Sequence, residues 1–325
     1  MSALGEAGPL PAIPPRDRHG HKGSFGVVGV VAGCASGGVR MIGAPALVAR
    51  GAFRAGAGLV KIACPEPVLA HAIALEPSAT GLSLPVEPDG SLRPHESAAV
   101  VDRLAREADA LVFGPGLGAG DAIEQLALRV IKLEETPLVI DADGLNALAR
   151  VPELAKEWRS RAIMTPHPGE WRRLASGVRA SGDPVEPRGR EEAAASLAQR
   201  LGCVVVLKGS GTVVSDGLRT WTCPAGDTCL ATAGTGDVLA GVLGALVAAY
   251  AAPPEPAGVP DAIRAKLPRS RARPLDLFDA ARLGVLAHAR AGERWAATHR
   301  AHAGALAREI ADFIPPEIER LRAEI

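Results

Sequence analysis

Neither sign of charge prevails in this 325-residue chain, where 36 lysines and arginines face 36 aspartates and glutamates. No global field draws it to nucleic acid or to an anionic membrane, so any phosphate site must be local. Long hydrophobic runs are missing too, since no window reaches the roughly 18 apolar residues of a spanning helix without glycine or charge. The opening MSALGEAGPLPAIPPRDRHGHKG lacks a basic segment followed by an apolar one. A soluble, cytoplasmic protein is expected. Cysteine is scarce, and Cys34, Cys64, Cys203, Cys223 and Cys229 are odd in number with no CxxC spacing. They read as reduced core thiols. No segment fits GxxxxGK[ST], which excludes a P-loop fold.

What the chain does have is glycine and proline, 37 and 27 residues, beside a hydrophobic fraction of 47%. That is a folded chain with many turns, and its length suits one large α/β layer structure. Residues 1–18 are proline-rich and aperiodic and read as a flexible arm, leaving 19–325 as a single domain. Continuous apolar runs at 25–33, 59–64, 109–113, 137–142, 162–166 and 203–209 read as strands covered on both faces. Helical spacing follows at 41–58, 120–133, from about 143, from about 168, at 190–201, 234–250 and 275–299, and in a pair from about 304. GTVVS (211–215) and LRTWTC (218–223), parted by Asp-Gly, read as a hairpin. The alternation predicts a mainly parallel sheet sandwiched by helices, with an antiparallel hairpin at one edge and ligands at the carboxyl ends of the strands. Residues 176–190 and 252–274 read as surface insertions with mobile backbones, the arginines of the second as a solvated loop.

Clusters of glycine and polar residues sit at strand ends and turns. In ATAGTGDVLAG (231–241), glycines before a helix let backbone N–H groups converge where the helix dipole adds positive charge, which makes an anion hole. Asp237, in the first helical turn, faces that hole and can take a proton from a hydroxyl being phosphorylated, although a plain first-turn carboxylate is the simpler alternative. VLKGSGTVV (206–214) puts Lys208 at a strand end, within reach of a nucleotide phosphate, followed by Gly209 and Gly211. IDADGLNAL (140–148) offers Asp141, Asp143 and Asn146 for Mg²⁺ held through water, or for a sugar hydroxyl. TPHPGEW (165–171) fixes His167 between prolines with Glu170 after it. FGPGLG (113–118) and GHKGSFG (20–26) are further glycine turns beside strands.

In order, HKGSFG, GAPAL with AFRAGAGLV, GPGLG, DADGLN, TPHPGE, LKGSGT and ATAGTGDVLAG resemble the ribokinase-like family of ADP- or ATP-dependent NAD(P)H-hydrate dehydratases. The resemblance spans about 20–315 and includes AREIADFIP (307–315). It implies a repair reaction in which the 6-hydroxyl of the hydrated nicotinamide ring of NADHX or NADPHX (S-form) is phosphorylated from ADP or ATP with Mg²⁺, and phosphate then leaves. It makes Asp237 the base and assigns the N–H groups of Gly234, Thr235 and Gly236 to the transferring phosphoryl. Lys208, Gly209, Ser210, Gly211, Thr212 and Gly236 become nucleotide contacts. Ala44, Gly116, His167 and Asp237 become contacts to the hydrated dinucleotide, with Asp143 and Asn146 beside them, and no direct protein ligand to a metal is expected.

The resemblance further implies a homo-oligomer working with a separate epimerase, because only about twenty residues precede the first motif. Two positions depart from the family pattern: Asp227 stands where an asparagine is usual, and Ala233 where GGTGD has its first glycine. An alanine is tolerable there only outside the left-handed region, and Asp227 adds negative charge near the nucleotide. A small-molecule kinase of the same fold, of the thiamine-precursor type, and a non-catalytic nucleotide binder are the competing readings.

Overall fold

The computed structural model describes residues 5–251 and 275–323, so the insertion expected at 252–274 lies outside the described residues. Ten strands form one sheet: β1 (Gly5–Glu6), β2 (Val27–Val31), β3 (Leu59–Pro65), β4 (Thr80–Leu84), β5 (Ala110–Phe113), β6 (Leu138–Ile140), β7 (Ala162–Met164), β8 (Val204–Leu207), β9 (Val213–Ser215) and β10 (Arg219–Thr222). Their order is β1-β10-β9-β8-β7-β6-β5-β2-β3-β4. From β8 to β4 every pairing is parallel, and β9 and β10 add the antiparallel hairpin expected around Asp216-Gly217.

The central strands are apolar at every position because both faces are covered. Successive side chains point to opposite faces, so Ala110 and Val112 join one core while Leu111 and Phe113 join the other. The first core holds the helices Gly43–Arg54, Thr235–Tyr250 and Leu277–His299; the second holds Pro94–Glu107, Asp121–Val130, Pro168–Val178 and Arg190–Leu201. All five cysteines are buried and free. Burial pushes the Cys64 and Cys203 thiols up to about 12, which leaves them inert as nucleophiles. Among the described residues no helix is long and apolar enough to cross a membrane.

Three expectations change. The stretch read as a flexible arm is docked from Gly5 onward: β1 pairs with β10, Ile13 is 1% exposed, and the Ile13 N–H donates to the Leu321 carbonyl. An aperiodic segment can still be pinned by one apolar side chain and an unpaired sheet edge. The insertion read at 176–190 contracts to 179–189, because the Pro168–Val178 helix runs on until Arg179 takes a left-handed cap. Its backbone is tied rather than loose: the Asp183 carboxylate accepts the N–H groups of Val185 and Glu186, and the Arg190 guanidinium donates to the Pro184 carbonyl. Between β3 and β5, where the sequence pattern assigns no element, the structure places the helices Glu66–Leu75 and Pro94–Glu107 and the edge strand β4.

The helices Gly43–Arg54 and Thr235–Tyr250 cross with almost no side chain between them. A Cβ on Gly51 would lie 2.3 Å from the Val238 carbonyl oxygen, and one on Gly241 would lie 2.0 Å from that of Val48. Backbone on both sides leaves nothing flexible to yield. Gly241→Ala should therefore cost about 1–3 kcal/mol by forcing the helices apart, read as a lower denaturant midpoint at unchanged slope. A midpoint equal to that of the parent would show that the crossing is not tight.

Candidate active site

At the carboxyl edge of the sheet, adjacent strands deliver one side chain after another. Lys208 follows β8 directly, Thr165 and His167 follow β7, and Asp141 follows β6. The Lys208 Nζ lies 2.6 Å from Asp141 Oδ1 and 3.8 Å from Glu170 Oε2, and the Thr165 hydroxyl donates to the same Asp141 oxygen at 2.7 Å. Asp141 and Glu170 are 2% and 5% exposed, so this lysine is the cation that keeps two buried carboxyls tolerable. Burial pulls its ammonium down, but Asp141, Glu170 and Asp237 outweigh that and leave it above the ordinary lysine range.

The glycine turn closes over this pair. Gly234 caps the Thr235–Tyr250 helix in the left-handed region at φ 90°, and a Cβ on it would press on Leu47 at 2.7 Å and Ala307 at 3.1 Å. The C-terminal motif around Ala307 thus braces the turn from outside. The Thr235 hydroxyl donates to the Leu230 and Thr232 carbonyls and fixes the turn from within. Gly236 stands directly beside the charges: a Cβ there would be 3.7 Å from Lys208 Nζ and 3.8 Å from Asp141 Oδ2. Asp237, one residue on, is partly buried, and burial first and Asp141 second raise its carboxyl from 3.8 to about 7 despite the opposing pull of Lys208. It is poised to exchange a proton near neutrality.

Beside the turn opens a cavity of about 520 Å³, lined by Lys208 to Thr212, Cys223 to Thr228, Gly236, Leu239 and the Leu277–His299 helix. Its floor is shaped by Arg190, a residue the motif reading passed over. This guanidinium is 7% exposed and donates to the carbonyls of Leu207, Lys208 and Gly211. In a planar trans peptide the N–H points opposite to the C=O, so the amides of Gly209 and Thr212 are turned away from Arg190. Nothing in the local motif announces this, since Arg190 opens a helix whose spacing reads as an ordinary surface element.

Other expected residues divide into groups. Ala44 and Gly116 meet, a Cβ on Gly116 falling 3.1 Å from that of Ala44. His167 caps the Pro168–Val178 helix: its Nδ1 accepts the N–H groups of Gly169 and Glu170, and its Nε2 lies 3.4 Å from Glu170 Oε1. Burial, with Lys208 and Arg173, holds the ring below the ordinary histidine value and hence neutral at pH 7. Ala142 has a left-handed-side φ of 51° and turns its two acidic neighbours apart, at a strain of about 1–3 kcal/mol. Asp141 faces Lys208, whereas Asp143 accepts the Gly118 N–H, and Asn146 bonds Asp143 and Arg173. Asp143 and Asn146 accordingly line a separate groove of about 700 Å³ with Arg150, Arg172 and Arg173.

The HKGSFG turn is not part of the site. Its Gly26 carbonyl accepts the Gly58 and Leu59 N–H groups where β2 and β3 begin, at the opposite edge of the sheet. The two departures are absorbed locally. Ala233 is not among the residues with positive φ. Asp227 caps the Thr228–Leu230 turn through the Cys229 N–H and meets His302 Nδ1 at 2.7 Å, contacts that hold its carboxyl below the usual range.

The raised Asp237 pKa makes a stability prediction. Folded chains keep a proton there that unfolded chains have released, so stability is lost as pH rises from about 4 to about 7. Asp237→Asn should be more stable than the parent above neutrality, by roughly 2–4 kcal/mol in denaturant unfolding, with the gain fading in acid. Equal curves at every pH would contradict a carboxyl held protonated by its surroundings.

Comparison with known proteins fits this arrangement. Residues 28–316 match the family described as NAD(P)H-hydrate dehydratase. A bifunctional NAD(P)H-hydrate repair enzyme from Moorella thermoacetica is 33% identical over 315 residues, which are 96% of this chain and 53% of that protein. An ATP-dependent (S)-NAD(P)H-hydrate dehydratase from Pongo abelii is 36% identical over 241 residues, covering 72% of this chain and 68% of its own. The chain spans about half the length of the bifunctional curated relatives it matches. Among solved structures, the ADP/ATP-dependent NAD(P)H-hydrate dehydratase of Bacillus subtilis, co-crystallised with ATP/Mg²⁺, superposes with a TM-score of 0.68 at 26% identity, covering 97% of this chain and all of its own. With a ribokinase-like α/β sandwich and its acidic and glycine-rich edge in place, the chain belongs to the NAD(P)H-hydrate dehydratase family.

Proposed function

We propose that the protein restores NADH or NADPH from the S-form of NADHX or NADPHX by nucleotide-dependent dehydration. The observation that carries this reading is Asp237: a carboxyl raised to about 7 in the first turn of a helix whose Gly236 stands beside Lys208. It takes the proton of the ring's 6-hydroxyl as that oxygen attacks the terminal phosphorus of ADP or ATP, and the nucleotide leaves shortened by one phosphoryl. The ring nitrogen's electron pair then expels phosphate by breaking the carbon–oxygen bond, and loss of a proton from the neighbouring carbon restores the reduced ring.

The N–H groups of Gly234, Thr235 and Gly236 and the helix dipole stabilise the transferring phosphoryl. Lys208 to Thr212 hold the nucleotide in the 520 Å³ cavity. Ala44, Gly116 and His167 hold the hydrated dinucleotide, and Asp143 with Asn146 extends that surface. Mg²⁺ keeps most of its waters and binds with phosphates beside one or two carboxylates; Asp141, next to Gly236, is the carboxylate placed to meet it. When bound, the ion neutralises phosphate charge. A cytoplasmic setting, homo-oligomeric assembly and a separate epimerase for the R-form belong to the same proposal.

Purified protein mixed with NADHX, Mg²⁺ and ADP or ATP should regenerate the absorbance of the reduced nicotinamide ring. The rate should climb with pH through about 7 as Asp237 ionises. Asp237→Asn should lose about 10²-fold or more. A stable phosphorylated product without ring restoration would instead mark a kinase, and nucleotide binding without any turnover would mark an inactive binder.

A further inference from the structure

In the loop between β8 and β9 most carbonyls are engaged while the amides are not. The Arg190 guanidinium donates to the carbonyls of Leu207 at 2.9 Å, Lys208 at 3.3 Å and Gly211 at 3.3 Å, and the Thr212 hydroxyl donates to that of Gly209 at 3.0 Å. Among the described residues the N–H groups of Gly209, Ser210, Gly211 and Thr212 have no acceptor. A segment whose acceptors are tied up internally offers mainly donors to whatever approaches it, and successive free N–H groups are what an anion requires.

Arg190 stands behind that loop. The cavity of about 520 Å³ is lined by Lys208 to Thr212 and not by Arg190, so the loop backbone lies between the guanidinium and the cavity. The fit is close: Gly209 has φ 142°, and a Cβ on it would lie 3.1 Å from both terminal nitrogens of Arg190. A planar fork with fixed N–H directions holds several carbonyls at once, which a compact ammonium does less well. Its remaining bond, 2.6 Å to the Pro184 carbonyl, brings in the 179–189 segment, to which the reaction above gives no role. Arginine is almost never this buried without a charged partner, yet among the described residues Arg190 meets carbonyls alone.

Resting on the nucleotide reading of this cavity, we infer that Arg190 is a positioning residue for the phosphates of the donor: it gathers the carbonyls of Leu207, Lys208 and Gly211 on its own side of the loop and thereby turns the amides of Gly209 and Thr212 to the other. It touches neither substrate nor reacting atom. Its effect falls on how tightly the phosphates are held, not on the proton transfer at Asp237, and the base and ribose of the donor gain nothing from it.

The test is calorimetric titration of the full chain with ADP and with adenosine, which keeps the base and ribose but has no phosphate. Arg190→Met removes both the charge and the fork, and Arg190→Lys keeps the charge alone. Arg190→Met should bind ADP about tenfold more weakly than the parent and adenosine as the parent does, with Arg190→Lys in between. In turnover the loss should fall on the nucleotide KM, not on kcat or on the KM for NADHX. Where Arg190→Met does not fold, Arg190→Lys carries the test, with a smaller loss of the same kind. An ADP-to-adenosine affinity ratio equal to the parent's in a folded variant overturns the inference. Equal weakening of both ligands does so too, since it marks a general loss of cavity structure. A parent that binds neither ligand overturns the nucleotide reading of the cavity itself, and the role given to Arg190 falls with it.

Discussion

One ammonium group makes the carboxyl edge of this sheet possible. Lys208 lies against Asp141 and near Glu170, both almost wholly buried, and its charge reaches Asp237. Without it, the edge would hold several carboxyls facing one another in a low-dielectric wall, and most would have to stay protonated. With it, the burden is unequal. Asp141 takes the close contact, and the carboxyls of Asp237 and Glu170 stand above their ordinary values, burial being the leading cause for both. The raised carboxyl of Asp237 is therefore a property of the cluster more than of its own helix.

The sequence made the architecture legible where burial is complete. β2, β5, β6, β7 and β8 are unbroken apolar runs because helices cover both faces, and the Asp-Gly hairpin carries its own turn chemistry. Lys208, Asp141 and Asp237 were legible because each follows a strand or a glycine turn at the edge where parallel sheets expose their ends. HKGSFG misled for the same reason: a glycine turn beside a strand looks alike at either end, and only chain direction in the fold tells the two edges apart. Arg190 was invisible because it opens an ordinary-looking helix and reaches the carbonyls of Leu207, Lys208 and Gly211 from 17 to 21 positions away. Edge strands β1 and β4 lack the double burial that makes a strand readable.

The family resemblance and the geometry meet most closely where the chain departs from the pattern. An aspartate at 227 in place of asparagine keeps the capping geometry, since either side chain can accept the Cys229 N–H, and its other oxygen meets His302 Nδ1 from the C-terminal region. The C-terminal motif likewise reaches back, Ala307 bearing on Gly234. The last part of the chain thus braces the glycine turn and bonds the Asp227 cap that precedes it.

Arg190 carries one further consequence. Among the described residues no carboxylate pairs with it; carbonyl dipoles alone surround it, and burial lowers its affinity for a proton. A positive charge is thereby stationed behind the backbone of the Leu207–Gly211 segment. Salt in the solvent screens a surface lysine within a Debye length, whereas a buried charge is screened much less. The field of Arg190 at this loop should then fall less with added salt than the field of a surface cation would.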